Sequence, residues 1–170
     1  MNYINQLVLT GAVNDVGAYN RINTPESFRA GIELELGWQI LRKLNWQANL
    51  TLSQNKIRSF TEFVDNYDTG LQDSILYTNT DISFSPSTIA SSTLLYEPFR
   101  KLKIALISKY VGKQYLDNTQ SDLRKLDAFT TQSIRINWTP ELIKAPGLEL
   151  AFQINNLLDV KYNPNGYTYS

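Results

Sequence analysis

The sequence predicts an all-β fold: an antiparallel up-and-down meander of about seven long strands, one segment of a transmembrane β-barrel wall. Three observations predict it. Side-chain character alternates with a period of two over strands longer than a soluble sheet uses. Short and long connections take turns along the chain. All 3 tryptophans lie beside short connections.

A strand near residues 3–9 opens the chain, and a long connection follows at 14–27. The next strand carries the clearest signal. Phe28, Ala30, Ile32, Leu34, Leu36, Trp38 and Ile40 are apolar, whereas Arg29, Gly31, Glu33, Glu35, Gly37 and Gln39 add no apolar side chain. Successive strand residues point to opposite faces, so this stretch has one greasy face and one charged face. At helical spacing the same residues scatter around the cylinder and leave Glu33 and Glu35 beside leucines. The run exceeds the roughly five or six residues usual in soluble sheets. It matches the roughly 9–11 that a tilted strand needs to cross a bilayer.

A short connection at 41–45 leads to a strand in which Trp46, Ala48, Leu50 and Leu52 oppose Gln47, Asn49, Thr51, Ser53 and Asn55. A long connection is expected at 59–87. Strands at 88–97 and 102–113, joined by a short connection at 97–101, alternate less cleanly, with Ile89, Leu95, Ala105 and Ile107 on the inward face. Another long connection at 114–127 precedes Ile134, Ile136 and Trp138, which oppose Ser133, Arg135 and Asn137. The connection at 139–147 contains Pro140 and the turn pair Pro146-Gly147. In the last strand, at 148–161, Leu148, Leu150, Phe152, Ile154, Leu158 and Val160 oppose Glu149, Gln153, Asn155, Asp159 and Lys161.

A meander with this order gathers the short connections at one rim and the long ones at the other. Outer-membrane barrels show that asymmetry, with short periplasmic turns and long extracellular loops. Trp38, Trp46 and Trp138 then form a membrane-interface girdle on the periplasmic side, facing lipid. A soluble sandwich gives no reason for tryptophan to collect at one end.

Composition narrows the function classes. The 170 residues suffice for one domain, and 16 Lys+Arg balance 16 Asp+Glu without clustering into a nucleic-acid footprint. With no cysteine and no histidine, disulfides, thiolate metal sites, ordinary zinc sites and Ser-His or Cys-His catalysis are excluded within the chain. No run approaches 18 apolar residues, which excludes a transmembrane helix but not a transmembrane strand. A low mean hydropathy does not exclude a barrel, whose wall averages an apolar and a polar face. No basic region followed by an apolar one precedes the first strand, so the start does not read as an export signal. An outer-membrane protein must be exported, so the expectation is a piece of something longer.

Candidate chemistry is sparse. Glu33 and Glu35 share a face, but lumen-facing carboxylates near Arg29 account for them without acid–base catalysis. The stretch DNYDTG (residues 65–70) with Asp73 looks like an acidic loop, yet it lacks the ligand spacing of a calcium-binding EF-hand. Phe63, Tyr67, Tyr77 and Phe84 in the expected 61–85 loop either grip a flat ligand or pack the loop, packing being the plainer account. Lys109, Lys113, Arg124 and Lys125 near the outer rim are able to meet lipopolysaccharide or an anionic ligand, but exposed cations need no partner. No catalytic, metal or cofactor residue is expected.

Three segments carry a resemblance: NQLVLTGAVNDVGAYNRIN (5–23), SKYVGKQYLDNT (108–119) and NNLLDVKYNPNGYTYS (155–170). They are similar to the C-terminal barrel of TonB-dependent outer-membrane receptors, the second and third most specifically. The resemblance implies a barrel of about 22 strands with a plugged lumen. It also implies a scarce small-molecule ligand (an iron–siderophore complex, haem, cobalamin or a glycan). Partners are outer-membrane lipid, the receptor's own N-terminal plug domain and the TonB complex. Residues 1–170 are expected to be a truncated barrel portion, with the plug domain and the closing strand absent.

The expected function is therefore energy-coupled ligand uptake across a Gram-negative outer membrane, and not enzymatic. Two alternatives stand beside it. A small autonomous outer-membrane barrel conflicts with the odd strand count, since bacterial single-chain barrels have even counts. A soluble β-sheet ligand-binding module predicts a monodisperse protein without detergent. The barrel expectation instead makes Leu34→Arg costly and Gln153→Arg cheap.

Overall fold

A computed structural model describes residues 1–14, 16–66, 68–140 and 147–168, without the side chains of 11–13 and 65. Tyr67, Pro146 and the last two residues of the third family-like segment lie outside the described residues. The strands are β1 (Asn2–Val13), β2 (Tyr19–Leu41), β3 (Leu44–Asn66), β4 (Leu71–Asp81), β5 (Thr88–Phe99), β6 (Leu102–Val111), β7 (Gln114–Tyr115), β8 (Lys125–Leu126), β9 (Phe129–Trp138) and β10 (Leu150–Ile154). The main sheet runs β1-β2-β3-β5-β6-β9-β10, which are the seven expected strands, with β4 added beside β3; β7 and β8 pair separately. All pairs in the main sheet are antiparallel.

Register sorts the side chains as the sequence requires. Trp38, Trp46, Leu94, Leu106, Ile134 and Ile154 line up across six strands on one face. Glu35, Asn49, Ser91, Lys109 and Thr131 line up on the other. Ile89, Leu95, Ala105 and Ile107 fall on this polar face, as expected. From Trp46 to Lys56 the apolar face of β3 advances ten residues before its first charge. That is about 33 Å of strand, or about 25 Å of height at a tilt of roughly 40°, the height of a barrel's apolar band. Within the band Glu33, Glu35, Lys103, Lys109 and Arg135 all sit on the polar face. The band's upper edge carries the ion pairs Lys56–Asp81 (2.8 Å) and Arg58–Glu26 (3.2 Å).

Two expectations about connections are corrected. Residues 14–27 are not a long loop, because β2 begins at Tyr19; nor are 59–87, most of which form a hairpin of β3 and β4. In both hairpins pairing skips a residue on each strand, at Asn5 and Pro25 and again at Arg58 and Asn79. Asn5 and Asn79 adopt positive φ (58° and 55°), a conformation asparagine tolerates. Each skip reverses the phase of alternation: Thr24 and then Ser27 are the buried positions of β2. A period-two reading loses the strand at that point. The 114–127 connection stands as a loop but holds the short β7–β8 ladder.

The last strand is shorter than expected. It stops at Ile154, because Asn156 and Asp159 both take φ of 49°. The Asn156 side chain then bonds both main-chain groups of Val160, at 3.0 and 3.1 Å, in place of a neighbouring strand. Beyond it the tail turns over the polar face, where Tyr162 stacks on Phe129 at 4.1 Å.

Two contrasts test the face assignment. In the membrane-inserted protein Leu34→Arg is expected to cost roughly 2–4 kcal/mol. Gln153 lies opposite Arg135, so Gln47 is the cleaner polar-face control, and Gln47→Arg is expected to cost well under 1 kcal/mol by the same denaturant titration in bilayers. Two glycines of β2 should also differ. A Cβ at Gly31 meets the Leu52 carbonyl oxygen at 2.6 Å, whereas one at Gly37 has nothing within 4 Å. Gly31→Ala is expected to destabilise by about 1–3 kcal/mol and Gly37→Ala to be near neutral.

Candidate functional site

Above Ser27 and Ile57 the β1–β2 and β3–β4 hairpins part, since β2 and β3 no longer pair there. The cleft between them holds a buried apolar cluster. Val8, Ile57 and Ile82 form its floor, with Ile22 and Phe60 packed against them. These five are apolar residues in segments that leave the membrane band, so they bury one another instead of meeting lipid.

The 112–128 loop folds inward over this floor. Its anchor is Asn118, fully buried, whose Nδ2 donates to the Leu9 carbonyl at 2.8 Å while its Oδ1 accepts the Ser83 N–H at 2.9 Å. The Ser83 hydroxyl donates to the same Leu9 carbonyl at 2.8 Å. One amide thus ties the loop to β1, across the width of β2, β3 and β5, and to the 82–87 linker. The loop is stiff in itself: the Leu116 N–H donates to the Arg124 carbonyl at 2.8 Å, and Asp117 Oδ1 accepts the N–H and hydroxyl of Thr119 at 3.0 and 2.6 Å.

A charged chain of contacts lines one wall. Arg124 Nη1 donates to Asp117 Oδ2 at 3.0 Å and to Glu62 Oε1 at 3.3 Å. The other Glu62 oxygen accepts the Tyr77 hydroxyl at 3.0 Å, and Tyr77 stacks on Phe60 with ring centroids 6.1 Å apart. The hydrogen bond to Asp117, backed by both carboxylate charges, raises the Arg124 guanidinium above its usual value against the opposing effect of burial. Burial first, and then the bond to Glu62, raises the Tyr77 phenol. Both groups therefore keep their hydrogen-bonding protons throughout the physiological range. Arg124, Asp117, Glu62 and Phe60 of this chain of contacts, with Thr10, Asn20, Ile22 and Thr168, line a cavity of about 230 Å³; Tyr77 stands behind Glu62 and Phe60, outside the lining.

The residues singled out from sequence are dispersed relative to this cleft. Trp38 and Trp46 are directly paired on the apolar face, and Trp46 gives its indole N–H to Ser92 at 2.8 Å. Trp138 shares that face beside Leu102 and Leu150. Glu33 and Glu35 stand far down the polar face, and Arg29 donates to Asn55 at 3.2 Å. The acidic DNYDTG stretch is the β3–β4 turn, organised by Asn66, whose side chain accepts the N–H groups of Asp68 and Thr69 and donates to Asp73. Among the loop aromatics, Tyr77 and Phe84 pack, the latter edge-on to Tyr19 at 6.2 Å, whereas Phe63 is exposed at the cleft. Of the four rim cations only Arg124 enters the cleft: Lys109 lies on the polar face of β6, Lys113 meets the Tyr115 hydroxyl and Lys125 pairs with Asp122. Sequence reasoning missed Glu62, Asp117 and Asn118. Asp117 and Asn118 fall inside the quoted 108–119 segment, but composition attaches no role to them.

Comparison with known proteins is decisive about kind. The family described as TonB dependent receptor-like, beta-barrel, matches residues 1–157. The chain belongs to the TonB-dependent receptors. Members of this family are transporters of the Gram-negative outer membrane, not enzymes. An Escherichia coli K12 relative, the uncharacterized protein YddB, is 34% identical over 92 residues, which cover 49% of this chain and 11% of that protein. The siderophore receptor PiuA of Acinetobacter baumannii superposes with a TM-score of 0.65 at 22% identity, over 96% of this chain and 21% of that one. The ferric yersiniabactin uptake receptor FyuA of Yersinia pestis gives 0.63 at 20%, over 89% and 21%. The FrpB iron transporter of Neisseria meningitidis gives 0.58 at 15%, over 99% and 25%. The chain thus spans between about a tenth and a quarter of the length of these TonB-dependent receptors, and its all-β antiparallel meander is one sector of their barrel.

Removing the anchor tests the loop. Asn118→Ala leaves buried main-chain groups of Leu9 and Ser83 short of a partner, an expected loss of about 1–3 kcal/mol. Amide exchange in residues 112–128 should accelerate roughly tenfold or more, while exchange in β5 and β6 stays unchanged.

Proposed function

We propose that the chain is the C-terminal barrel portion of a receptor for energy-coupled uptake of a ferric siderophore, and that the anchored cleft is where one part of the ligand is received. The plug domain and closing strand belong to the same receptor outside residues 1–170, and the TonB complex is its energy-coupling partner. Trp38, Trp46 and Trp138 serve as the periplasmic girdle. The observation that carries this reading is the inward loop locked by Asn118 beside a polar wall of Arg124, Glu62 and Asp117. An ordinary outer loop has no reason to bury an amide against a strand four places away. The cavity is smaller than the roughly 300–1,000 Å³ of a complete small-molecule site, so it suits one ring or arm of a larger ligand. Phe60 and the exposed Phe63 offer an aromatic surface to an aromatic chelating arm, and Arg124, held between Glu62 and Asp117, fixes the polar edge beside it. The names of PiuA and FyuA support a siderophore over haem, cobalamin or a glycan.

The test is uptake of radiolabelled iron, presented as a panel of ferric siderophores, by cells whose only such receptor is the full-length protein containing this chain. Uptake of at least one ferric siderophore is expected, with Arg124→Ala weakening its binding roughly 10- to 100-fold while insertion into the outer membrane holds. Uptake of haem, cobalamin or a glycan, and of no ferric siderophore, overturns the assignment.

A further inference from the structure

The short-turn rim concentrates positive charge in a chain that is neutral overall. Arg42 and Lys43 make the turn between β2 and β3, Arg100 and Lys101 the turn between β5 and β6, and Lys103 opens β6; the described carboxylates at that rim are Glu97 and Glu149. The two turns are laced together. The Glu97 N–H donates to the Lys43 carbonyl at 2.8 Å, and Lys43 Nζ donates to the Pro98 carbonyl. Lys103 lies 3.8 Å from Glu97. Among the described residues Arg42 and Arg100 make no ion pair, and both are exposed.

Aromatic side chains stand immediately above these cations on the apolar face. Trp38 and Trp46 are paired, Tyr96 lies in the next row, and Phe99 is 61% exposed at the turn. Rings of this kind settle at the level of lipid headgroups, and arginine stems reach past them toward the interface. A guanidinium presents a planar fork that matches two phosphate oxygens. Zwitterionic headgroups cancel the attraction with their own cation, whereas an anionic headgroup keeps it.

We infer that the short-turn rim is a binding site for the headgroup phosphate of an anionic phospholipid, phosphatidylglycerol, held by Arg42 and Arg100. Trp38, Trp46 and Phe99 pack its glycerol and the first acyl carbons. Lys43 and Lys103 are committed to Pro98 and Glu97, so they set the local potential rather than grip the phosphate. The inference rests on membrane embedding, not on the identity of the transported ligand. A failed uptake panel leaves it standing, and its own failure leaves the uptake reading standing.

The full-length protein containing this chain, purified in mild detergent and exposed to equimolar phosphatidylglycerol and phosphatidylcholine vesicles, is examined by native mass spectrometry for retained lipid. Phosphatidylglycerol should be enriched, and Arg42→Gln with Arg100→Gln should cut that enrichment on the order of tenfold. The pair Arg42→Lys and Arg100→Lys keeps the charge but not the fork, and should fall between. Raised salt should weaken enrichment in the wild type. Lys161→Gln, a cation at the opposite rim, should change nothing. Equal enrichment in the wild type and the double glutamine variant overturns the site. Stronger retention of lipid A than of phosphatidylglycerol, lost through the same two arginines, overturns it too, by placing this rim in the other leaflet.

Discussion

A strand in hydrocarbon has no water to satisfy its backbone, so each of its amides must pair with the strand alongside. That constraint fixes nearly everything in the lower part of this molecule. It demands long strands in unbroken register, which β2, β3, β5, β6 and β9 supply over the height of the apolar band. Once lateral pairing is complete, the side chains have two environments and a period of two. Leu34, Leu50 and Leu94 go one way, and Glu35, Asn49 and Lys109 the other. Packing contributes little there. Its apolar side chains are exposed in the chain itself because they are meant to meet lipid.

Beyond the band the rules change within a few residues. Water can satisfy a backbone, so strands are free to skip, turn and separate. The skipped pairs at Asn79 and at Asn5 use that freedom to redirect the two hairpins. The apolar residues of this upper part, Val8, Ile57 and Ile82 among them, now need cover and find it in one another and in the inward loop. Polar residues are buried with them and call for partners. Asn118, Asp117 and Ser83 find both side-chain and main-chain ones. The charged wall sits where it does because Arg124 closes the loop on itself and reaches Glu62 on the neighbouring hairpin.

This division explains what could be read in advance. The strands inside the band were legible because lipid on one side and water on the other impose alternation residue by residue, as at Phe28 to Ile40. The sheet order followed from short turns such as the one at Arg42 and Lys43. The upper hairpins were hidden because a single skipped pair at Arg58 and Asn79 reverses the phase, and a periodic reading then finds only a loop. The final strand was overestimated because Leu158 and Val160 fit the period while Asn156 had already left the strand conformation. The cleft was invisible for a different reason. Leu9, Ser83 and Asn118 lie far apart in sequence, and their contact depends on main-chain atoms that no residue pattern reports.

β3 has two successive neighbours on one edge: β5 beside Leu44 to Leu52, and β4 beside Lys56 to Asn66. The linker at 82–87 steps from one to the other while still bonded to β3 through Ile82 and Ser87. On this edge of β3, β4 takes above the membrane the place that β5 holds within it, so the added strand is stacked rather than inserted. Such a joint separates two design problems. The upper hairpin can lengthen, shorten or be exchanged wholesale without moving a single hydrogen bond of the spanning sheet, so variation in what is recognised need not disturb how the protein sits in its membrane.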